Sequence, residues 1–149
     1  MKPTGVDPEY MRYRRSYPKF PGVSTCVELL RRHNVRGEYL DDVMGDLQEH
    51  ASKNIEDLLA AFRAETDSRV RALLLSVIAE TRSQAALPIF AEILLGDDEE
   101  LQVWAARGLH VLNTKDARKL LWEARSRRMA TREATQRFQQ MLEEVARWK

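Results

Sequence analysis

Asp67-Ser-Arg-Val-Arg-Ala-Leu-Leu-Leu-Ser-Val-Ile78 aligns without a gap with Asp98-Glu-Glu-Leu-Gln-Val-Trp-Ala-Ala-Arg-Gly-Leu109, thirty-one positions further on. Val70 falls on Leu101, Leu74 on Ala105 and Ile78 on Leu109. The segment ahead of each block repeats as well. Leu58, Leu59 and Phe62 map onto Ile89, Phe90 and Ile93, and the same step reaches Leu120, Leu121 and Ala124. Apolar residues at helical spacing, recurring at one fixed period, are the pattern of stacked helix pairs that bury their apolar stripes against their neighbours.

Each pair has readable ends. Asn54, with Asp57 three residues on, is placed to cap a helix with the stripe Ile55, Leu58, Leu59 and Phe62. Asp67 or Ser68 opens its partner, with the stripe Val70, Leu73, Leu74, Val77 and Ile78. The short loop between them makes the two antiparallel neighbours. Ser83 starts the second pair, Pro88 lies in the first turns of its helix, and Gly96 stops it. Leu101, Trp104, Ala105, Leu109 and Leu112 follow; Ala105, Ala106 and Gly108 are small enough for close helix approach, with Trp104 expected to fill the space above. Asn113 or Thr114 caps a third pair, and Thr131 opens a last helix with the stripe Ala134, Phe138, Met141, Leu142 and Val145.

Ahead of the array, Thr25-Cys-Val-Glu28 reads as a capping box opening a short helix that ends near Asn34, with Gly37 separating it from the next. Leu40, Val43, Met44, Leu47 and Ala51 form that second stripe. In the first residues Pro3, Pro8, Pro18 and Pro21 forbid a continuous helix. Tyr10, Tyr13, Tyr17 and Phe20 alternate there with Arg12, Arg14, Arg15 and Lys19. Interleaved rings and cations suit either a nucleic-acid arm or an arm docked on the chain's own helices; the latter is favoured. The expectation is one all-α domain over 1–149: an irregular arm over 1–23, two N-terminal helices over 24–53, repeats over 54–128 and a C-terminal capping helix over 129–149.

The pattern resembles HEAT repeats, in particular the short type of about thirty residues found in phycobilisome-lyase-like proteins. Ala86-Leu-Pro-Ile-Phe-Ala-Glu-Ile-Leu94 looks like a first helix, and Asp97 to Leu109 like the inter-helix Asp turn with its second helix. Asp67-Ser-Arg-Val-Arg71 is similar to the Asp-x-x-Val-Arg signature; in the next unit Gln102 stands where that arginine is expected, so the Asp–Arg ladder is incomplete. The resemblance implies an α-α superhelix, a HEAT-like solenoid of antiparallel helix pairs, and leaves function open.

Composition narrows the function classes. Apolar residues make up 44% and charged residues 32%, which suits a soluble globular chain, and no apolar run is long enough to span a bilayer. The start, Met1-Lys-Pro-Thr-Gly-Val-Asp-Pro-Glu9, lacks the apolar stretch of a signal peptide. The lone Cys26 has no internal disulfide partner, which favours a cytoplasmic location. His33, His50 and His110 stand in different helical units, with no His-x-x-x-His, Cys-x-x-Cys, Gly-rich phosphate loop or Gly-x-Ser-x-Gly. The repeated His-Glu pairs of HEAT-fold di-iron hydroxylases are missing too. No catalytic, cofactor or metal residue is therefore expected.

Net charge is only +1, but it is uneven: both ends are basic and the middle is acidic. Two partner surfaces follow. Glu38, Asp41 and Asp42 with Asp97, Asp98, Glu99 and Glu100 suit a basic partner; Arg125, Arg127, Arg128 and Arg132 suit an acidic one. Trp104, Trp122 and Trp148 are either core residues or contact anchors. Protein binding without catalysis, in the manner of a bacterial immunity or antitoxin-type inhibitor, fits best. The alternative is nucleic-acid binding through the basic arm and the Arg125–Arg132 patch, as in the HEAT-like alkylpurine DNA glycosylases; the acidic middle opposes it.

Overall fold

The structure, a computed structural model, describes residue 13, residues 15–32 and residues 37–148. Tyr10, Arg12, Arg14, His33 and Asn34 lie outside the described residues, as does the side chain of Glu38. The fold is all-α: the described residues hold eight α-helices, two short 3-10 helices (Ser52–Asn54 and Gln84–Ala86) and no strand, and Tyr13, Arg15 and Ser16 in the arm expected to be irregular are helical as well. They are α1 (Val23–Arg32), α2 (Gly37–His50), α3 (Ile55–Ala64), α4 (Ser68–Ala79), α5 (Leu87–Leu94), α6 (Glu99–Leu112), α7 (Lys115–Ala124) and α8 (Arg132–Ala146). None of the described helices is long and apolar enough to cross a membrane. The chain divides into two compact units, residues 1–73 and 74–149, with the boundary inside α4.

In the first unit α1 packs on α2 and on α3. The helix begins earlier than the capping-box reading places it. Gly22, at a φ of +101°, turns the chain out of the proline segment, and its carbonyl accepts the Cys26 N–H at 3.2 Å. Thr25 is thus already inside the helix. Gly37 opens α2 rather than lying between helices. Asn54 does not cap α3 with its side chain. Its amide turns back and donates to the His50 carbonyl at 2.8 Å, satisfying the end of α2 instead.

The aromatic arm docks on its own unit. Tyr13 is buried, with its hydroxyl donating to the buried Asp46 and its ring 5.5 Å from that of Tyr17. Phe20 stacks on His50 at 4.3 Å. Cys26 is buried beside this group. Burial first, then the Asp46 charge, pushes its thiol up to about 11, so it is protonated and unreactive at neutral pH.

Polar side chains satisfy the ends of the first helices. Arg69 donates to the Leu30 carbonyl at the end of α1, at 2.6 Å. Arg71 donates to the carbonyls of Phe62 and Glu65 at the end of α3, at 2.8 and 3.1 Å. Gln102, in the position thirty-one residues after Arg71, donates to the carbonyls of Leu94 and Gly96 at the end of α5, at 3.3 and 2.7 Å. The amide takes over the task of the guanidinium, and it does so fully buried. The aspartates are equivalent too: Asp67 accepts from the Arg69 and Val70 N–H groups, and Asp98 from that of Leu101.

In the second unit α6 is central, packing on α5, α7 and α8, while α5 also packs on α7. Leu101, Ala105, Ala106 and Leu109 are buried, as are Ile89, Phe90 and Leu94 of α5. A β-carbon on Gly108 would lie 2.3 Å from Phe90 Cζ. The small residues do admit a close approach, but Phe90 fills the space, whereas Trp104 is half-buried with its ring 5.9 Å from that of Trp148. On α4 the stripe shifts slightly: Leu75 is fully buried and Leu73 only partly.

Helix starts share one rhythm. The first helices open at 23, 55, 87 and 115, and the second at 37, 68, 99 and 132. The α1–α2 pair, expected as an extra, thus leads the next pair by 32 and 31 residues, as that pair leads the third by 32 and 31, while the last pair follows at 28 and 33.

Candidate functional site

The second unit contains an open groove of about 560 Å³ between α6, α7 and α8. Its shape follows from two connections. Asn113 ends α6 in the left-handed region at a φ of 50°, which asparagine tolerates, and Thr114 at once caps α7 by accepting from Ala117 N–H. Arg118 braces this turn, its Nη1 donating to the Asn113 carbonyl at 2.7 Å. The α7–α8 connection is held by Arg127, which donates to the Leu94 carbonyl at 2.6 Å and lies 5.5 Å from the centre of the Phe138 ring. The Thr131 hydroxyl accepts from Ala134 N–H and opens α8.

Helix α7 cannot close the space between its neighbours. Only Ala117 and Ala124 are fully buried on it, and both are small; Leu120 and Leu121 are partly covered. The groove is therefore lined in part by the apolar side chains of Leu109, Leu121, Leu142 and Ala146. Polar side chains line the rest: His110 and Asn113 from the α6 end, Arg118 from α7 and Arg125 just past it, Gln139 and Glu143 from α8. Trp122 stands on the α7 edge at 68% exposure, with the Arg125 guanidinium 5.4 Å from its ring centre. Among the described residues neither Arg118 nor Arg125 carries an ion pair. Gln139 donates its amide to the Arg125 carbonyl at 3.3 Å, which leaves its side-chain oxygen to accept. Burial, then the charges of Arg107 and Arg125, lower the pKa of His110 below its usual 6.5, so its imidazole is neutral at pH 7.

The structure sorts the basic residues expected to form one patch. Arg125 lines the groove, Arg127 is engaged in holding the connection, and Arg128 and Arg132 are exposed outside the groove lining. The acidic residues separate as well. Asp98 caps α6, and Glu99 receives the Arg137 guanidinium at 2.8 Å, a hydrogen bond that lowers its carboxyl pKa. Asp97 and Glu100 are exposed at that turn. On α2 of the other unit Asp41 is exposed and Asp42 half-buried.

The tryptophans are not all core: Trp148 is 42% exposed and Trp122 more so. His110, Arg118, Gln139 and Glu143 are groove residues that sequence reasoning passed over. One signal was present. Arg118, Trp122 and Arg125 stand at i, i+4 and i+7, on one face of α7 and its last turn. Among the described residues no three His, Cys, Asp or Glu side chains gather as they would around a metal ion. Comparison with known proteins finds no matching family model, no matching curated protein and no matching solved structure.

Proposed function

We propose that the chain is a non-catalytic, HEAT-like scaffold that binds another protein through a charged helical surface. Four helix pairs opening 28 to 33 residues apart, equivalent caps at Asp67 and Asp98, and equivalent carbonyl donors at Arg71 and Gln102 support the repeat reading. So does the packing of α5 on α7 and of α6 on α8, which is how successive pairs of a right-handed α-α superhelix stack. In this reading α8, with its polar outer face, caps the array.

The observation that carries the binding role is Trp122. A tryptophan left largely in water, beside a half-apolar groove and two cations without ion-pair partners, is the composition of an interface anchor. A partner whose acidic surface is sealed by this side, as an immunity or antitoxin-type inhibitor seals a toxin, fits the charge. The test is capture on the immobilised full chain from a nuclease-treated lysate of the native cells, with wild type beside Trp122→Ala. A stoichiometric protein that survives nuclease and is lost with Trp122→Ala is expected. Capture of nucleic acid alone, with retardation of labelled RNA or DNA that collapses steeply with salt, would replace this reading by the nucleic-acid one.

A further inference from the structure

The groove is too specific in its chemistry to be only a generic sticky face, and we infer that it takes an extended acidic peptide segment of a partner protein, with a carboxylate seated at Arg118 and Arg125 and a neighbouring apolar side chain against Trp122, Leu121 and Leu142. This deepens the protein-binding reading and rests on it.

Three features select that occupant. The first is charge. Arg118 and Arg125 line the groove without ion pairs among the described residues; Arg118 Nη1 is taken up by Asn113, which leaves its other N–H groups and those of Arg125 as donors that match a carboxylate. The second is the apolar part of the lining, which offers an aliphatic or aromatic side chain a place out of water. The third is the opposite wall. Glu143 and the Gln139 side-chain oxygen are acceptors and need donors in the ligand. A peptide backbone supplies N–H groups along its length; a phosphodiester backbone supplies none.

The experiment uses the full chain and an array of peptides of about eight residues, long enough to cross the groove at about 3.3 Å per residue. The array varies Asp or Glu next to Leu, Ile or Phe, with matched peptides carrying Lys for the acid. Acid-plus-apolar peptides should be selected, and the best one, fluorescein-labelled, is then titrated by fluorescence polarisation. Arg125→Gln and Trp122→Ala should each weaken it about tenfold or more. Lys119→Gln, one charge removed from the same helix outside the groove lining, should leave it within twofold, and circular dichroism checks that each variant is folded. No acid preference on the array, or equal losses with Arg125→Gln and Lys119→Gln, would overturn the assignment. Displacement of the peptide by oligouridylate at lower concentration than by the acidic peptide would overturn it in favour of nucleic acid. Concentration-dependent dimerisation that blocks the peptide would overturn it in favour of a second copy. If the array is blank while a nuclease-resistant protein is still captured and is lost with Trp122→Ala, the protein-binding role stands and only the acidic-peptide assignment is wrong; if both fail, the protein-binding role fails.

Discussion

At the scale of single residues, the second unit depends on one contact that tolerates no growth. Phe90 Cζ lies where a β-carbon of residue 108 would be, at 2.3 Å, and Phe90 Cε1 and Cε2 at 2.6 Å. Both residues are buried, so the ring has no solvent to move into. Gly108→Ala should therefore cost about 1–3 kcal/mol, the usual cost of overpacking, despite the gain in helix propensity. Thermal unfolding by circular dichroism checks it. The double variant Gly108→Ala with Phe90→Leu should recover part of the loss, because the smaller side chain clears the new methyl. Additive losses in that pair would remove the steric explanation. Sequence alone showed that 105, 106 and 108 are small and that helices meet there. It did not show which ring would fill the gap, because Trp104 and Phe90 both lie within reach in a repeat pattern and only three-dimensional packing chooses. Gln102 is a similar case. As a letter it breaks an Asp–Arg signature; as a side chain it donates to the same two ends of the preceding turn.

At the scale of elements, the junction of α1 and α3 is fixed by an ion pair of unequal burial. Glu65 caps α3 with its backbone N–H and is 2% exposed at its side chain, while Arg31 of α1 is 54% exposed. The guanidinium is bidentate, with Nε donating at 2.9 Å and Nη2 at 2.6 Å to Glu65 Oε1. The hydrogen bond from Arg31 lowers the Glu65 carboxyl pKa, helped by the backbone N–H groups of Asp67 and Thr66. Breaking such a pair from the exposed side is the worse insult, because it strands a buried carboxylate. Arg31→Ala should lower the melting temperature more than Arg31→Ala combined with Glu65→Gln. The opposite order, in melting curves at neutral pH, would show that the buried carboxylate is satisfied without Arg31. The helical spacing in the sequence revealed the stripe of α3 but not this bridge. Residues thirty-four apart leave no periodic trace, and one of the partners is a helix-terminal acid that reads as ordinary surface charge. The helix ends were legible where aspartate or threonine sits before a turn, as at Asp67, Thr114 and Thr131. They were misread at Thr25 and Asn54, where glycine geometry and a backward-facing amide decide the terminus instead.

At the scale of the whole molecule, the repeat period carried the all-α class and nearly every helix, while the groove stayed hidden. A groove is a deficit of packing, here the small side chains of α7, and no motif marks a deficit. That groove gives a pH signature of its own. All three tryptophans, Trp104, Trp122 and Trp148, belong to the second unit, so their fluorescence reports its unfolding. His110 lies in the same unit, and its folded pKa is lowered by burial and by Arg107 and Arg125. The unfolded chain, with an ordinary value of 6.5, therefore takes up the proton first as pH falls. Stability contributed by the neutral imidazole is complete above that value and is lost as pH drops from it towards the lowered folded pKa. The carboxylates behave differently. Glu65 and Glu99 have lowered values, so their contributions persist until pH falls below the ordinary 4.5. Acid thus weakens the fold in two separate ranges, and only the upper one belongs to the groove. The urea midpoint followed by tryptophan fluorescence should fall between about pH 7 and pH 5 in the wild type. His110→Gln, neutral throughout, should flatten that range and leave the decline below pH 4.5 unchanged. Parallel curves for the two proteins would move the upper titration away from His110, and with it the claim that the groove holds an imidazole kept neutral by burial and by the charges of Arg107 and Arg125.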